Sequence, residues 1–186
     1  QRGQLYLFLE LLVIDIQNDY FPNGKMALTN PEQAAQNAGK LLTHFRQTGS
    51  PIFHVQHITE GETVPFFHPN TEGVEIHESV RPLEGETVIV KHMPNSFFYT
   101  NLHEKLQEQG IKELIVCGMM SHMCIDATVR AAVEHGYTCQ VIEDACATTT
   151  LQIEDKIIPA EHVHYAFMAA LNGIYATVKT TEAFLK

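Results

Sequence analysis

The stretch "LLVIDIQ" at residues 11–17 decides the fold class. It is a continuous apolar run, rich in β-branched side chains, that ends in polar residues, which is typical of a parallel strand buried on both faces. The segment that follows, residues 30–49, predicts a helix. Asn30 is its candidate N-cap, Pro31 occupies the first helical position and Gly49 marks the stop. A buried strand followed by a helix is the first half of a βαβ unit.

The same alternation recurs along the chain. It predicts strands at 51–58, 87–92, 112–119, 137–144 and 175–180, and helices at 98–110, 122–136 and 159–173. Strands that alternate with helices imply right-handed βαβ units and a mainly parallel sheet covered on both faces. A chain of 186 residues with 45% hydrophobic content can bury one core and is short for two. We therefore expect an α/β protein with a single domain spanning residues 1–186.

Two segments depart from this alternation. Residues 58–86 contain no helix of ordinary length, and a loop this long in a compact domain is usually functional or disordered. Because Phe66, Phe67 and His68 disfavour solvated disorder, we predict that it forms a pocket wall. The second segment is the apolar run from Leu5, which Glu10 interrupts. We therefore expect that part of residues 1–10 does not belong to the natural protein, or that the start of the chain is uncertain.

The composition of the chain excludes some classes of binding partner. Twelve Lys and Arg against 22 Asp and Glu give a net charge of −10 with no basic run. This charge argues against nucleic acid and anionic membranes as partners and favours a small-molecule substrate. The chain has neither an apolar stretch of about 20 residues nor a secretion signal, so we expect a cytoplasmic protein. Four cysteines without C-x-x-C spacing are expected to be reduced; they are Cys117, Cys124, Cys139 and Cys146.

Polar residues at the predicted strand ends indicate chemistry. Ligands of open α/β sheets bind beyond the carboxyl ends of the strands, and Asp15, Lys91 and Cys124 lie at or near three such ends. Singly, each has an ordinary structural role as a turn cap, a sheet cap or a packed thiol. Together they supply a nucleophile, a base for its proton and an ammonium to stabilise the anion. With Ser121 as N-cap, Cys124 falls in the first helical turn, where the helix dipole favours a thiolate.

Three segments carry a family resemblance: "LLVIDIQNDYF", "VKHMPNSFF" and "IVCGMMSHMCIDATVRAA". They resemble the signature segments of the isochorismatase-like cysteine hydrolases, which include nicotinamidase, N-carbamoylsarcosine amidase and ureidoacrylate amidohydrolase. The resemblance implies a three-layer α/β/α sandwich with a six-stranded, mostly parallel sheet, and a homodimer or homotetramer. It also implies a catalytic triad of Asp15, Lys91 and Cys124. A cis peptide bond between Met119 and Met120 would form the oxyanion site.

Two departures refine the expected activity. The founding isochorismatases cleave a vinyl ether and lack this cysteine, so the resemblance implies hydrolysis of an amide, carbamoyl or lactam C–N bond, without a cofactor. Nicotinamidases carry an Asp-x-His metal pair after the second strand, where this chain reads "HVQHITE" without an Asp. His54, His57 and His68 are candidate ligands, since imidazole commonly binds metals. Among 11 histidines a chance cluster is expected, and we assign no metal.

Weaker candidates and alternatives complete the predictions. Gln17, Phe21, Phe66 and Phe97 are candidate substrate-binding residues, although strand capping and local packing would also explain them. Two other functions stay open: a nicotinamidase-type, metal-assisted amidase and a thiol redox sensor that uses Cys124.

Overall fold

Six parallel strands form the central sheet of the computed structural model, which describes residues 8–186. In chain order, the strands of the protein are β1 (Leu9–Ile14), β2 (Ile52–His57), β3 (Thr87–Lys91), β4 (Glu113–Met119), β5 (Thr138–Ala147), β6 (Leu151–Ile153), β7 (Lys156–Ile158) and β8 (Thr177–Lys179). The sheet has the order β3-β2-β1-β4-β5-β8, and β6 and β7 pair separately as an antiparallel hairpin. The predicted parallel sheet is thereby confirmed.

Helices cover both faces of this sheet. Leu11 and Val13 of β1 face one apolar core, and Leu12 and Ile14 face the other, because successive side chains of a strand point to opposite faces. This two-sided burial explains why the run is apolar without alternation. The helices are α1 (Pro31–Thr48), α2 (Leu102–Glu108), α3 (Asp126–Glu134), α4 (Ala160–Leu171) and α5 (Thr181–Leu185). The first core packs against α1 and α5 and the second against α2, α3 and α4, which confirms the three-layer sandwich.

Several element boundaries differ from the predictions. Asn30 precedes α1 with φ of 52° and forms no side-chain cap, whereas Gly49 ends the helix at φ of 68° as predicted. The helix predicted at 98–110 begins only at Leu102, since Tyr99 has a positive φ of 50° that a helix cannot contain. The β6–β7 hairpin was not predicted; its turn has Glu154 at φ of 54° instead of the usual Gly or Asn.

The strand order reverses direction between β1 and β4. From β1 the chain proceeds to β2 and β3 on one side, and it then crosses back to β4, β5 and β8 on the other. Gly118 near the end of β4 lies opposite Ile14 and has φ of +131°. A Cβ at this position would collide with the carbonyl oxygen of Ile14, so only glycine lets the two strand ends approach this closely. Ligands of such sheets bind at this switch point.

The long segment 58–86 lies against the carboxyl ends of the strands. It contains one 3₁₀ turn, Glu78–Val80, and no regular helix, as predicted. Two buried polar side chains that follow β1 hold it in place. Gln17 Nε2 donates to the carbonyl oxygens of His57 and Val74, both at 2.8 Å, and Asp19 accepts from the backbone N–H of Phe67 at 2.8 Å. No helix within residues 8–186 is long and apolar enough to cross a membrane.

Candidate active site

The Lys91 ammonium joins three side chains at the carboxyl ends of the strands. Lys91 Nζ lies 2.8 Å from Asp15 Oδ2, 3.4 Å from Cys124 Sγ and 2.8 Å from His57 Nδ1. An ammonium has three hydrogens, so each of them faces one acceptor. Lys91 ends β3 and its side chain crosses β2 to reach the end of β1, with no exposed surface. The structure thus brings together Asp15, Lys91 and Cys124, the three residues singled out from the sequence.

Asp15 presents a carboxylate with few bonds. It directly follows β1, has φ of 54° and donates its backbone N–H to the carbonyl oxygen of Val55 at 3.0 Å. Aspartate tolerates this left-handed conformation better than most residues. The carboxylate is fully buried, among residues 8–186 Lys91 is the cation that faces it, and the Cys124 thiol lies beside it.

Cys124 lies in a π-helical turn, Ser121–Ile125, which joins β4 to α3. Met120, with extended backbone angles, is the N-cap of this turn, so the prediction of Ser121 as N-cap is wrong by one residue. The peptide bond between Met119 and Met120 is cis. The Cys124 side chain is 5% exposed, and its sulfur lies within 4.8 Å of an oxygen of Asp15 and a ring nitrogen of His57.

Electrostatics favour a neutral thiol in the resting site. Burial, and then the charge of Asp15, raise the pKa of Cys124, and Lys91 only partly opposes them. The expected lowering by the helix dipole is therefore outweighed, because desolvation penalises the thiolate. Burial alone would lower the pKa of Lys91, but the charges of Asp15 and Cys124 raise it above its ordinary value. The Cys124 thiol is therefore neutral at rest and the Lys91 side chain is charged.

His57 is a contact that sequence reasoning missed. It was considered only as a metal ligand, yet its Nδ1 accepts a hydrogen bond from Lys91 Nζ. Burial and the Lys91 charge lower the pKa of His57 to about 4, so the ring is neutral near pH 7. Its position could have been found by register, since His57 ends β2 directly beside Lys91 at the end of β3.

Potential metal ligands group differently from the prediction. Among the described residues, Asp15, His57 and Cys124 form the cluster with metal-ligand spacing, and the Lys91 ammonium contacts all three. His54 instead binds Glu86 at 2.9 Å, and His68 Nε2 lies 2.9 Å from the carbonyl oxygen of Val64. The three histidines thus do not converge. The charge that a metal would supply at this cluster is supplied by an ammonium.

The other candidate residues occupy different surroundings. Phe66 belongs to an aromatic cluster with Tyr20 and Phe67, and the Phe67 ring lies 5.8 Å from that of His57. Burial and the charges of Cys124 and Asp15 raise the pKa of Tyr20. Phe66 is thus joined through Phe67 to His57, the neighbour of Lys91.

Three candidates have contacts elsewhere. Phe21 stacks on His77 with ring centroids 3.7 Å apart. The ring of Phe97 lies 6.0 Å from that of Tyr137, which directly precedes β5 at the opposite end of the sheet. The Gln17 amide bonds the backbone of the long segment and not Asp15.

The remaining cysteines lack the partners of Cys124. Burial raises the pKa of Cys139 and of Cys146 to about 12, and it also raises that of Cys117. Cys146 lies within β5, not beyond its end as predicted, and its thiol donates to the carbonyl oxygen of Ile142 at 3.4 Å. All four thiols are free and buried. Proximity to Asp15 and Lys91, and not a low pKa, distinguishes Cys124.

Comparisons with known proteins identify the family of the chain. The isochorismatase domain model matches residues 10–183. The isochorismatase family protein YddQ of Bacillus subtilis is 87% identical over 95% of this chain and 98% of its own. A streptothricin hydrolase of Streptomyces noursei is 35% identical over 74% of this chain and 54% of its own. The crystal structure of an isochorismatase from Pseudomonas putida superposes with a TM-score of 0.89 at 40% identity, covering 96% of this chain and 90% of that one. The chain belongs to the isochorismatase family of hydrolases.

Proposed function

We propose that this protein hydrolyses a C–N bond of a small molecule through a covalent intermediate on Cys124. The observation that carries the proposal is the position of Lys91 Nζ, 2.8 Å from Asp15 Oδ2 and 3.4 Å from Cys124 Sγ, in a site with almost no exposure to solvent. A buried thiol, a base and a cation in contact are the parts that acyl transfer to sulfur needs.

The first half of the reaction forms a thioester. Asp15 removes the thiol proton as the sulfur attacks the carbonyl carbon, and the electron pair of the C=O bond moves onto oxygen. The backbone N–H groups of Met120 and Cys124 stabilise the resulting oxyanion. The intermediate collapses, the C–N bond breaks, and Asp15 returns the proton to the leaving nitrogen. The products of this half are a free amine and an acyl-Cys124.

The second half releases the acid and restores the thiol. Water replaces the amine, Asp15 removes one of its protons, and the hydroxyl oxygen attacks the thioester carbonyl. When the C–S bond breaks, the sulfur recovers the proton from Asp15. Lys91 stays protonated throughout and stabilises whichever of Asp15 and Cys124 carries the negative charge. The neutral His57 ring orients the third hydrogen of the ammonium.

Relatives support hydrolysis and leave the substrate open. The matched streptothricin hydrolase acts on a small molecule, as its name states. Phe67 of the long segment 58–86 lies beside His57 and packs on Phe66, so an apolar or planar acyl group suits this wall. We place substrate selection there.

The alternative of a thiol redox sensor has less support. The thiolate, and not the thiol, reacts with oxidants, and burial together with Asp15 raises the pKa of Cys124. A nicotinamidase-type, metal-assisted amidase is also less well supported, because the Lys91 ammonium already contacts each member of the ligand cluster. We therefore favour acyl transfer without a metal over these two alternatives.

The test is a screen read by mass spectrometry. Nicotinamide, N-carbamoyl amino acids, ureidoacrylate-like compounds and lactams are incubated with the protein, and the reaction is quenched in acid to preserve a thioester. We expect one class to give a mass adduct on Cys124 and catalytic turnover. Cys124→Ala should lose both, whereas Cys146→Ala, which removes another buried thiol, should retain both. Turnover by Cys124→Ala would overturn the covalent mechanism.

A further inference from the structure

A chain of hydrogen bonds outside the triad ends on the turn that carries Cys124. Ser121, the first residue of this turn, is fully buried, and its Oγ lies 2.7 Å from Nδ1 of His164 on α4. The other ring nitrogen, Nε2, lies 3.2 Å from Oε2 of Glu143 on β5. Neither His164 nor Glu143 was singled out from the sequence, because they lie 43 and 22 positions from Ser121.

The direction of these bonds follows from their chemistry. A carboxylate only accepts hydrogen bonds, so the Nε2 atom that faces Glu143 carries the hydrogen. In a neutral ring Nδ1 is then an acceptor, and the Ser121 hydroxyl donates to it. The order is therefore serine to histidine to glutamate. Although these residue types form a nucleophilic triad in other enzymes, Ser121 has no exposed surface for a substrate to reach.

The turn has few other constraints at its start. Met120, its N-cap, provides no side-chain hydrogen bond, and its carbonyl oxygen accepts from the N–H groups of Met123 and Ile125. Besides Ser121, His122 anchors the turn, since its Nδ1 lies 2.6 Å from Thr148 Oγ1 just beyond β5. The turn is thus tied to the sheet by His122 and to α4 by Ser121.

We propose that His164, whose ring contacts Glu143, is a positioning residue that fixes the turn through Ser121. Ser121 adjoins Met120, the proposed oxyanion donor, and precedes Cys124 by three residues. A shift at Ser121 therefore moves the donor relative to the sulfur. The inference rests on the proposed acyl transfer and extends it to residues that touch neither substrate nor thiol. Displacing a preorganised donor slows acyl transfer without changing how the thiol loses its proton.

Two variants of one residue separate the two bonds. Asparagine carries its polar atoms near the position of Nδ1, so His164→Asn keeps an acceptor for Ser121 and loses Glu143. Glutamine carries them near the position of Nε2, so His164→Gln keeps Glu143 and loses Ser121. His164 lines a cavity of about 350 Å³, which gives either side chain room. His162→Asn and His162→Gln, at an exposed position on the same helix, are matched controls.

The experiment uses p-nitrophenyl acetate as acyl donor and iodoacetamide as a probe of the thiol. We expect p-nitrophenyl acetate to acetylate Cys124 about tenfold more slowly in His164→Gln than in His164→Asn, because His164→Gln loses the hydrogen bond to Ser121. Iodoacetamide labelling should stay equal in both variants, because Asp15 and Lys91 are untouched. Both His162 variants should match the parent protein.

Amide hydrogen exchange gives a readout that is independent of activity. The peptide that contains residues 118–126 should exchange faster in His164→Gln than in His164→Asn or the parent. Equal acetylation and equal exchange in the two His164 variants would overturn the inference, and so would an equal loss of acetylation and labelling in both. If the parent protein itself forms no acetyl-Cys124, the proposed function fails, and the exchange comparison still decides whether His164 holds the turn.

Discussion

β3 has an ionic network at each end, and the two differ in how completely the carboxylate is hydrogen-bonded. Glu86, directly before β3, is partly buried. It accepts from Arg46 Nε at 2.7 Å, Arg46 Nη2 at 2.9 Å and the Leu83 N–H at 3.0 Å, and it also contacts His54 at 2.9 Å. Asp15, which faces the far end of β3, is fully buried and has Lys91 and the Cys124 thiol as neighbours.

The hydrogen bonds of Glu86 change its affinity for a proton. Burial would raise the pKa of Glu86, but its bonds to Arg46, Leu83 and His54 lower it to about 2. That carboxylate is held as an anion and cannot serve as a base near neutral pH. Asp15 keeps acceptor capacity beside a thiol. We therefore expect the network at Glu86 to stabilise the fold, and we propose that the network at Asp15 serves the chemistry.

The largest expected effect is on activity. Asp15→Asn removes the base, and we expect turnover of the substrate found by the screen to fall by about 10²–10⁴-fold. Iodoacetamide labelling of Cys124 should not fall, because the Asp15 charge that raises the pKa of this thiol is removed while Lys91 stays. Glu86→Gln, the matched change at the other network, should keep both rates near those of the parent. Undiminished turnover by Asp15→Asn would show that Asp15 is not the base.

The second effect is on stability at the Asp15 network. Lys91→Met leaves the Asp15 carboxylate buried without its cation, which should cost about 3–5 kcal/mol of unfolding free energy. Replacing both partners, as in Asp15→Asn with Lys91→Met, should recover most of this loss while activity stays absent, and Asn tolerates the positive φ of position 15. Urea denaturation of the three proteins measures the difference. If the double variant is no more stable than Lys91→Met, an unpaired charge is not the cause.

Of the two networks, the sequence predicted only the one that joins Asp15 and Lys91. The run at residues 11–17 is apolar because both faces of β1 are buried, and the residue types at strand ends marked Asp15, Lys91 and Cys124. The Glu86 network was missed because Arg46, His54 and Glu86 come from three elements with no common spacing. Such pairings depend on how α1 packs on the sheet.

The directions in which side chains point were the second feature that the sequence did not predict. Sequence reasoning took Ser121 as a cap from its residue type, but its hydroxyl binds His164 on a helix 43 residues away. Gln17 follows Asp15 by two residues and was predicted to bind substrate, yet its amide holds the segment 58–86. In both cases a long-range acceptor was available that outcompeted the local one. Register between neighbouring strands, in contrast, would have been enough to place His57 beside Lys91, although the sequence reasoning did not use it.

A third prediction concerns acid stability at the Glu86 network. A carboxylate with a lowered folded pKa stabilises the protein above its unfolded pKa and loses this effect as the pH falls. Glu86 should therefore stabilise the fold near neutral pH, and this contribution should be lost as the pH falls from 4.5 to about 2. The parent and Glu86→Gln should differ in unfolding free energy at pH 7 and converge near the lower end. A constant difference across this range would contradict the lowered pKa.

The smallest expected effect is the pH dependence of stability that His57 causes. His54 and His57 both lie on β2, but His54 contacts the Glu86 carboxylate, whereas His57 contacts the Lys91 ammonium. Burial and the Lys91 charge lower the pKa of His57 from 6.5 to about 4, so the unfolded chain binds the extra proton first and acid destabilises the fold. Between pH 7 and 5 this costs about 2 kcal/mol.

His57→Asn keeps a neutral acceptor for Lys91 and removes the titration. The variant should therefore gain stability relative to the parent as the pH falls through this window. Thermal unfolding at pH 7, 6 and 5 measures the gain. A parent and variant that lose stability in parallel would mean that His57 is not held neutral by Lys91, and the third bond of the ammonium would lose its support.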